Sequence, residues 1–157
     1  MYEPLLFIHS WIRWVVLLGA IFFFIRSIKG VVKKETWGES ENHFIWAYNQ
    51  IFGYQVLFGL TLWLGLSPIT KAAFKDFSLI QDNFMVLFYF ALHGFSMIMA
   101  LGVFHMIKAK ERRQSDSQKK FKLYVVGFGI ILTIFFFAIP WPWYNFGRAF
   151  FRWLSWT

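Results

Sequence analysis

The chain has 157 residues, 58% of them hydrophobic, 24% aromatic and only 15% charged, whereas a soluble domain carries about 25% charged residues. Its apolar residues gather in blocks of about 20, enough to cross a hydrocarbon core roughly 30 Å thick, which points to a single integral membrane unit rather than a soluble enzyme. There is no cysteine, so disulfides, iron–sulfur clusters, thiolate-bound haem and cysteine nucleophiles are excluded.

The expected fold is all-α, a four-transmembrane-helix bundle. Crossings are predicted at about 5–27, 44–66, 85–107 and 121–139, and none contains Asp or Glu. Backbone groups in lipid must be satisfied within their own segment, so each crossing is read as a helix. The first lacks a basic leader and a small-residue cleavage site, so no cleaved signal peptide is expected. The second connection, "SPITKAAFKDFSLIQDN", is moderately apolar, and a short helix lying on the membrane surface is expected there. After the fourth crossing, Pro140 and Pro142 end the helix, because proline removes a donor and clashes with the preceding turn. The remaining Trp, Phe and Arg alternate in a pattern that predicts a C-terminal interfacial amphipathic helix over about 144–156. Its expected role is anchoring, with docking onto a partner subunit as the alternative.

The net charge of +8 is unevenly placed. The first connection and the helix end before it hold Arg26, Lys29, Lys33 and Lys34. The third holds Lys108, Lys110, Arg112, Arg113, Lys119, Lys120 and Lys122, whereas the other side has only Lys71, Lys75, Arg148 and Arg152. By the positive-inside rule the first and third connections are cytoplasmic. The expected location is a bacterial inner membrane, with N- and C-termini periplasmic. The basic excess is thus a topology signal, assisted by anionic lipids. No nucleic-acid recognition motif accompanies it, so no nucleic acid is expected as a partner.

Chemistry must come from within the bundle. The chain has no phosphate loop, no nucleophile elbow and no carboxylate pair in a crossing, so no catalytic residue is assigned. It does have four histidines. From the predicted boundaries His9 lies about 6 Å below the outer surface and His93 about 12 Å, on different helices. Two imidazoles at similar depth can grip one iron between helices, and a bis-imidazole b-type haem favours electron transfer. Haem propionates need cations or donors where unpaired charge is expensive. Arg13, one turn from His9 on the same face, is the first candidate, followed by Arg148 and the indoles of Trp11, Trp14, Trp141 and Trp143. Tyr89, His93, Met97 and Ala100 form one stripe on the third helix. Glycines, among them Gly19, Gly53, Gly59, Gly94 and Gly102, allow close helix approach or leave room for a flat macrocycle.

The plainer account makes His9 an interfacial histidine bonded to a carbonyl, with Arg13 snorkelling outward. It explains a deeply placed His93 less well. His43 and His105, near the cytoplasmic surface, are weaker candidates for a second metal site. Gln50, Tyr54 and Gln55 interrupt the oily second helix. Such groups ordinarily hydrogen-bond across helices; the alternative is a haem propionate or a quinone carbonyl.

The segments "HSWIRWVVLL", "YQVLFGLTLWL", "LHGFSMIMALG" and "IPWPW", in that order, resemble a small four-helix bacterial membrane family of Bacteroidetes type labelled "cytochrome b". The matching positions are His9, Arg13 and Trp14; Gln55 and Gly59; His93; and Ile139 through Pro142. The resemblance spans most of the chain outside the connections. It implies one b-type haem in electron transfer, with His9 and His93 on the iron and Arg13, Gln55 and Trp14 around it; His43 and His105 fall outside the pattern. Leu92 stands where some relatives carry Glu, so an orienting or proton-handling acid is missing.

The expected function is therefore a membrane electron-transfer subunit within or beside a larger respiratory, quinone-linked complex, or a homo-oligomer, in contact with the lipid bilayer. One alternative is a cofactor-free structural accessory subunit of a larger membrane complex. A further one is a carrier that exchanges haem or another small molecule.

Overall fold

A computed structural model describes residues 1–146 and 149–152. Helix α1 runs Tyr2–Val32. Helix α2 runs Glu39–Thr61 and continues as a wide π-helical turn, Leu62–Leu66. Two short helices follow, α3 (Pro68–Lys75) and α4 (Ser78–Asp82), where one surface helix was expected. Helix α5 (Phe84–Leu87) passes through a second π-helical segment, Phe88–His93, into α6 (Gly94–Glu111). Helix α7 is Ser117–Ala138. No strand occurs among the described residues.

Three helical stretches, Tyr2–Val32, Phe84–Glu111 and Ser117–Ala138, are long and apolar enough to cross a membrane. A fourth arises if Glu39–Leu66 and Pro68–Lys75, bent by 51°, count as one broken span. The helix starts follow from caps. The Asp116 carboxylate accepts the amides of Gln118 and Lys119, Asn83 accepts those of Met85 and Val86, and Glu41 reaches back to accept from Gly38 N–H at 2.9 Å. Each satisfies donors that a helix start leaves orphaned.

The helices alternate in direction. Near the far end of α1, Gln118 at the start of α7 donates to the carbonyls of Gly30 and Glu35 at 3.2 and 3.1 Å. Arg26 of α1 bridges Glu35 and, at the start of α2, Glu41, both at 2.6 Å. At the opposite end, Glu3 pairs with Arg152. The chain's start and the stretch after α7 therefore share one end of the bundle, here the terminal end; the first and third connections share the other, the basic end.

Between α1, α2, α6 and α7 the core is aromatic. Phe23, Phe52, Phe104, Tyr124 and Phe128 are at most 1% exposed. Phe104 and Phe128 each meet Tyr48 edge-to-face, at 5.2 and 5.3 Å, the arrangement ring quadrupoles prefer. Gly30 admits the Phe121 ring, which a Cβ would meet at 2.6 Å. Outward-facing side chains are also apolar: Val15, Leu18, Phe22 and Ile25 on α1, and Val126, Phe136 and Phe137 on α7, are exposed. A surface so continuous suits lipid rather than water.

The expected interfacial helix over 144–156 needs correction. Within it, residues 144–146 and 149–152 form turns and bends; the rest, including Arg148, lies outside the described residues. The cause is tertiary. Trp11 Nε1 donates to Arg152 O, Arg13 and Trp14 both donate to Phe150 O, and Tyr89 Oη donates to Phe146 O. Carbonyls that would otherwise close helical turns are taken by side chains of α1 and the third long helix.

Candidate cofactor site

A cavity of about 120 Å³ opens at the terminal end between α1, α2 and the third long helix. His9, Ser10 and Arg13 line it from α1, Gln55, Gly59 and Trp63 from α2 and its π turn, and Tyr89, His93 and Met97 from the facing stretch. The His9 and His93 ring centres are 6.4 Å apart and the rings are near perpendicular, at 88°. Two imidazoles bound to one metal through bonds of about 2 Å have ring centres about 6 Å apart.

Hydrogen bonds define which nitrogen each ring presents. His9 Nδ1 lies 3.1 Å from Gln55 O, and His93 Nδ1 lies 2.7 Å from Ala138 O. A carbonyl only accepts, so each Nδ1 carries the proton and each Nε2 keeps its lone pair. A backbone carbonyl behind a ring in this way orients metal-binding histidines and raises their basicity. Gln55 also donates its amide to His9 O at 3.0 Å, so one residue holds His9 through backbone and side chain together. Gly59 provides the space: a Cβ there would sit 3.0 Å from His9 Cε1.

Both π-helical segments border the cavity, and His93 ends the second. A π turn widens the helix and releases carbonyls from the regular ladder. Two of these find tertiary donors: Trp63 Nε1 bonds Phe90 O at 2.8 Å, and Thr70 Oγ1 bonds Trp63 O at 2.6 Å. The Trp63 indole lies against Gly94, where a Cβ would be 3.2 Å away.

Two buried atoms on the cavity wall, Arg13 Nε and Gln55 Oε1, have no partner among the described residues. One is a cationic donor and the other an acceptor; each costs about 1–3 kcal/mol while unsatisfied. No group of three or more His, Asp or Glu side chains among the described residues can hold a bare metal ion. A pair of imidazoles suits a metal whose other positions are filled by a ligand of its own, and a porphyrin iron is such a metal. The two imidazoles and the orphaned Arg13 nitrogen suit a haem's iron and its acidic tails, but a cavity of about 120 Å³ is smaller than such a macrocycle needs, about 300 Å³ or more, so the lining side chains would have to move apart to admit it.

His9, Arg13, Gln55 and His93 thus share one cavity wall. Trp14 does not line it: its indole is bonded to Phe150 O and stacks on Phe151 at 5.7 Å. The Trp11 and Trp141 indoles are likewise held by backbone carbonyls, so these donors brace the returning chain. His43 and His105 are exposed, and no ring contact joins them. Of Gln50, Tyr54 and Gln55 on α2, the first two are exposed and Gln55 is buried. Trp63 and Thr70 were not marked by sequence reasoning; an indole and a hydroxyl near a span end read as interfacial, and only the π turns bring them to the site.

No family model matches the chain, and no curated protein or solved structure matches it. The functional reading rests on the geometry.

Proposed function

We propose that this chain is a four-helix protein of the bacterial inner membrane, with periplasmic termini, that holds one b-type haem between His9 and His93 and serves electron transfer within or beside a quinone-linked complex. One observation carries the reading: two imidazoles on separate helices, 6.4 Å apart, each with Nδ1 tied to a backbone carbonyl. Even passage is supported by the shared end of the chain's start and its returning stretch. Orientation is supported by the basic residues at the opposite end.

In this reading His9 and His93 would hold the haem iron, Arg13 would face the haem's acidic groups, and the Gln55 backbone and amide keep the His9 ring from turning. A haem with two imidazole ligands supplies one-electron transfer. The apolar walls lower the local dielectric and exclude water, which is the protein's means of tuning potential.

The cofactor-free structural reading has one observation in its favour. Gln55 Nε2 lies 3.5 Å from His9 Nε2, a long contact through which the amide partly occupies that lone pair. A visible spectrum of the purified protein, expressed with haem supplied, decides between them. Dithionite reduction should give a sharp α-band of b type. His9→Ala and His93→Ala should each abolish it, and His43→Ala and His105→Ala should leave it intact. A featureless spectrum of the folded wild-type protein would sink the haem reading.

A further inference from the structure

A second groove lies at the basic end, on the outer face of α6 and α7, far along the bundle from the histidine cavity. Its volume is about 460 Å³. Met106 and Ile107 of α6 and Val126 and Ile130 of α7 make its apolar wall, and Lys110, Lys119 and Lys122 stand at its polar end. At Gly127 the two helices meet so closely that a Cβ would overlap Ile107 Cδ1, and this contact makes the groove's floor.

Among the described residues none of these three lysines is ion-paired. The nearby acids are engaged elsewhere: Glu111 binds Lys120 at 2.5 Å, and Asp116 caps α7 through the amides of Gln118 and Lys119. Met106, Val126 and Ile130 are 51%, 64% and 46% exposed, so none of the described residues covers the wall. From Lys110 to Val103, also on the groove, is seven residues, about 10 Å along the helix. On the membrane reading above, this spacing puts the cationic donors at headgroup level and the apolar wall inward at acyl-chain level.

We infer that this groove binds an anionic phospholipid of the surrounding bilayer, with its phosphate among Lys110, Lys119 and Lys122 and an acyl chain along α6 and α7. The inference rests on the membrane reading above but not on the haem. A basic pocket between helices on the cytoplasmic side is the form that anionic headgroup sites take. The wall matches a hydrocarbon chain, and the mouth matches a phosphodiester charge.

The full-length protein in neutral detergent tests this by thermal unfolding with added phosphatidylglycerol, phosphatidylcholine or inorganic phosphate. Saturating phosphatidylglycerol should raise Tm by about 5 °C, and the other two by little. The triple substitution Lys110→Gln, Lys119→Gln, Lys122→Gln should remove most of that rise. Lys29→Gln, Lys33→Gln, Lys34→Gln, with the same charge loss at the same end but outside the groove, should keep it. Val126→Trp, which fills the groove and leaves the lysines, should also remove it. Equal losses in the two triple variants would mean diffuse surface charge and overturn the site. An equal rise with phosphatidylcholine, or with phosphate alone, would overturn it too. A protein that enters lipid vesicles yet shows no phosphatidylglycerol preference sinks the site alone; one that does not enter them at all sinks the membrane reading with it.

Discussion

The two ends of the bundle are built from the same long helices and behave as opposites. At the basic end the chain is closely packed: Phe23 stacks on Phe44 at 4.7 Å, Trp37 on Tyr124 at 5.2 Å, and Arg26 is shared by two carboxylates. Its one buried polar atom without a partner among the described residues is Tyr124 Oη. At the terminal end the helices widen into π turns, enclose a cavity and leave Arg13 Nε and Gln55 Oε1 unsatisfied. In its interior, between the helices, the basic end gains by filling space. The other gives up packing and hydrogen bonds around two imidazoles, and such local concessions tend to mark functional sites.

Mutations can break this division. The largest effect is expected from Phe104→Ala, whose ring meets Tyr48, Phe52 and Phe128. Lipid is as apolar as the core, so the transfer part of the cost is small. The cavity part remains, about 24 cal/mol per Å³, or about 2–3 kcal/mol. Thermal unfolding should fall accordingly while the reduced spectrum keeps its shape. A spectral change equal to that of His93→Ala would show the two ends to be one coupled unit.

Glu41→Gln should cost less, about 1–2 kcal/mol, because Arg26 keeps Glu35 and is partly solvated. Burial pushes the Glu41 carboxyl up, but the Gly38 amide, the Ser40 hydroxyl and Arg26 outweigh it and hold it below the usual carboxylate range. A depressed carboxyl contributes stability that is fully present above its unfolded pKa, about 4, and is lost as pH falls through the lower folded value. Unfolding temperatures measured from pH 7 down to pH 3 should drop in the acid range for the wild type, with a shallower drop in Glu41→Gln. Identical profiles would remove Glu41 from the account.

The smallest effect sharpens the contrast at the terminal end. Gly59→Ala puts a methyl group against His9, whereas Gly53→Ala, on the same helix, meets nothing within 4 Å. The first should weaken haem retention about tenfold, the scale of disturbing a ligand's supports. The second should leave it unchanged. Haem loss to apomyoglobin measures both, and equal rates would argue against His9 as a ligand.

Much of the site was visible as exceptions to a pattern. His9, Arg13, Gln55 and His93 are polar groups in segments otherwise headed for lipid, and that contrast marks them in the sequence. Trp14 stood out by motif, but its indole faces the returning chain. Alternating aromatic and basic residues, a local signal, predict the interfacial helix, and side-chain donors from α1 override it within the described residues. The π turns left no mark, because "LWLGL" and "FYFALH" are ordinary apolar helix sequence.

The sequence by itself determined the all-helical character, the long apolar helices and the concentration of cations in two connections, since each depends on residues close together along the chain. Only the tertiary structure decided that His9 and His93 face one cavity, which nitrogen each ring offers, and where residues 149–152 return. Those outcomes depend on hydrogen bonds between residues as far apart as Trp11 and Arg152, and on two widened turns that re-aim side chains. A helix repeat carries no information about either.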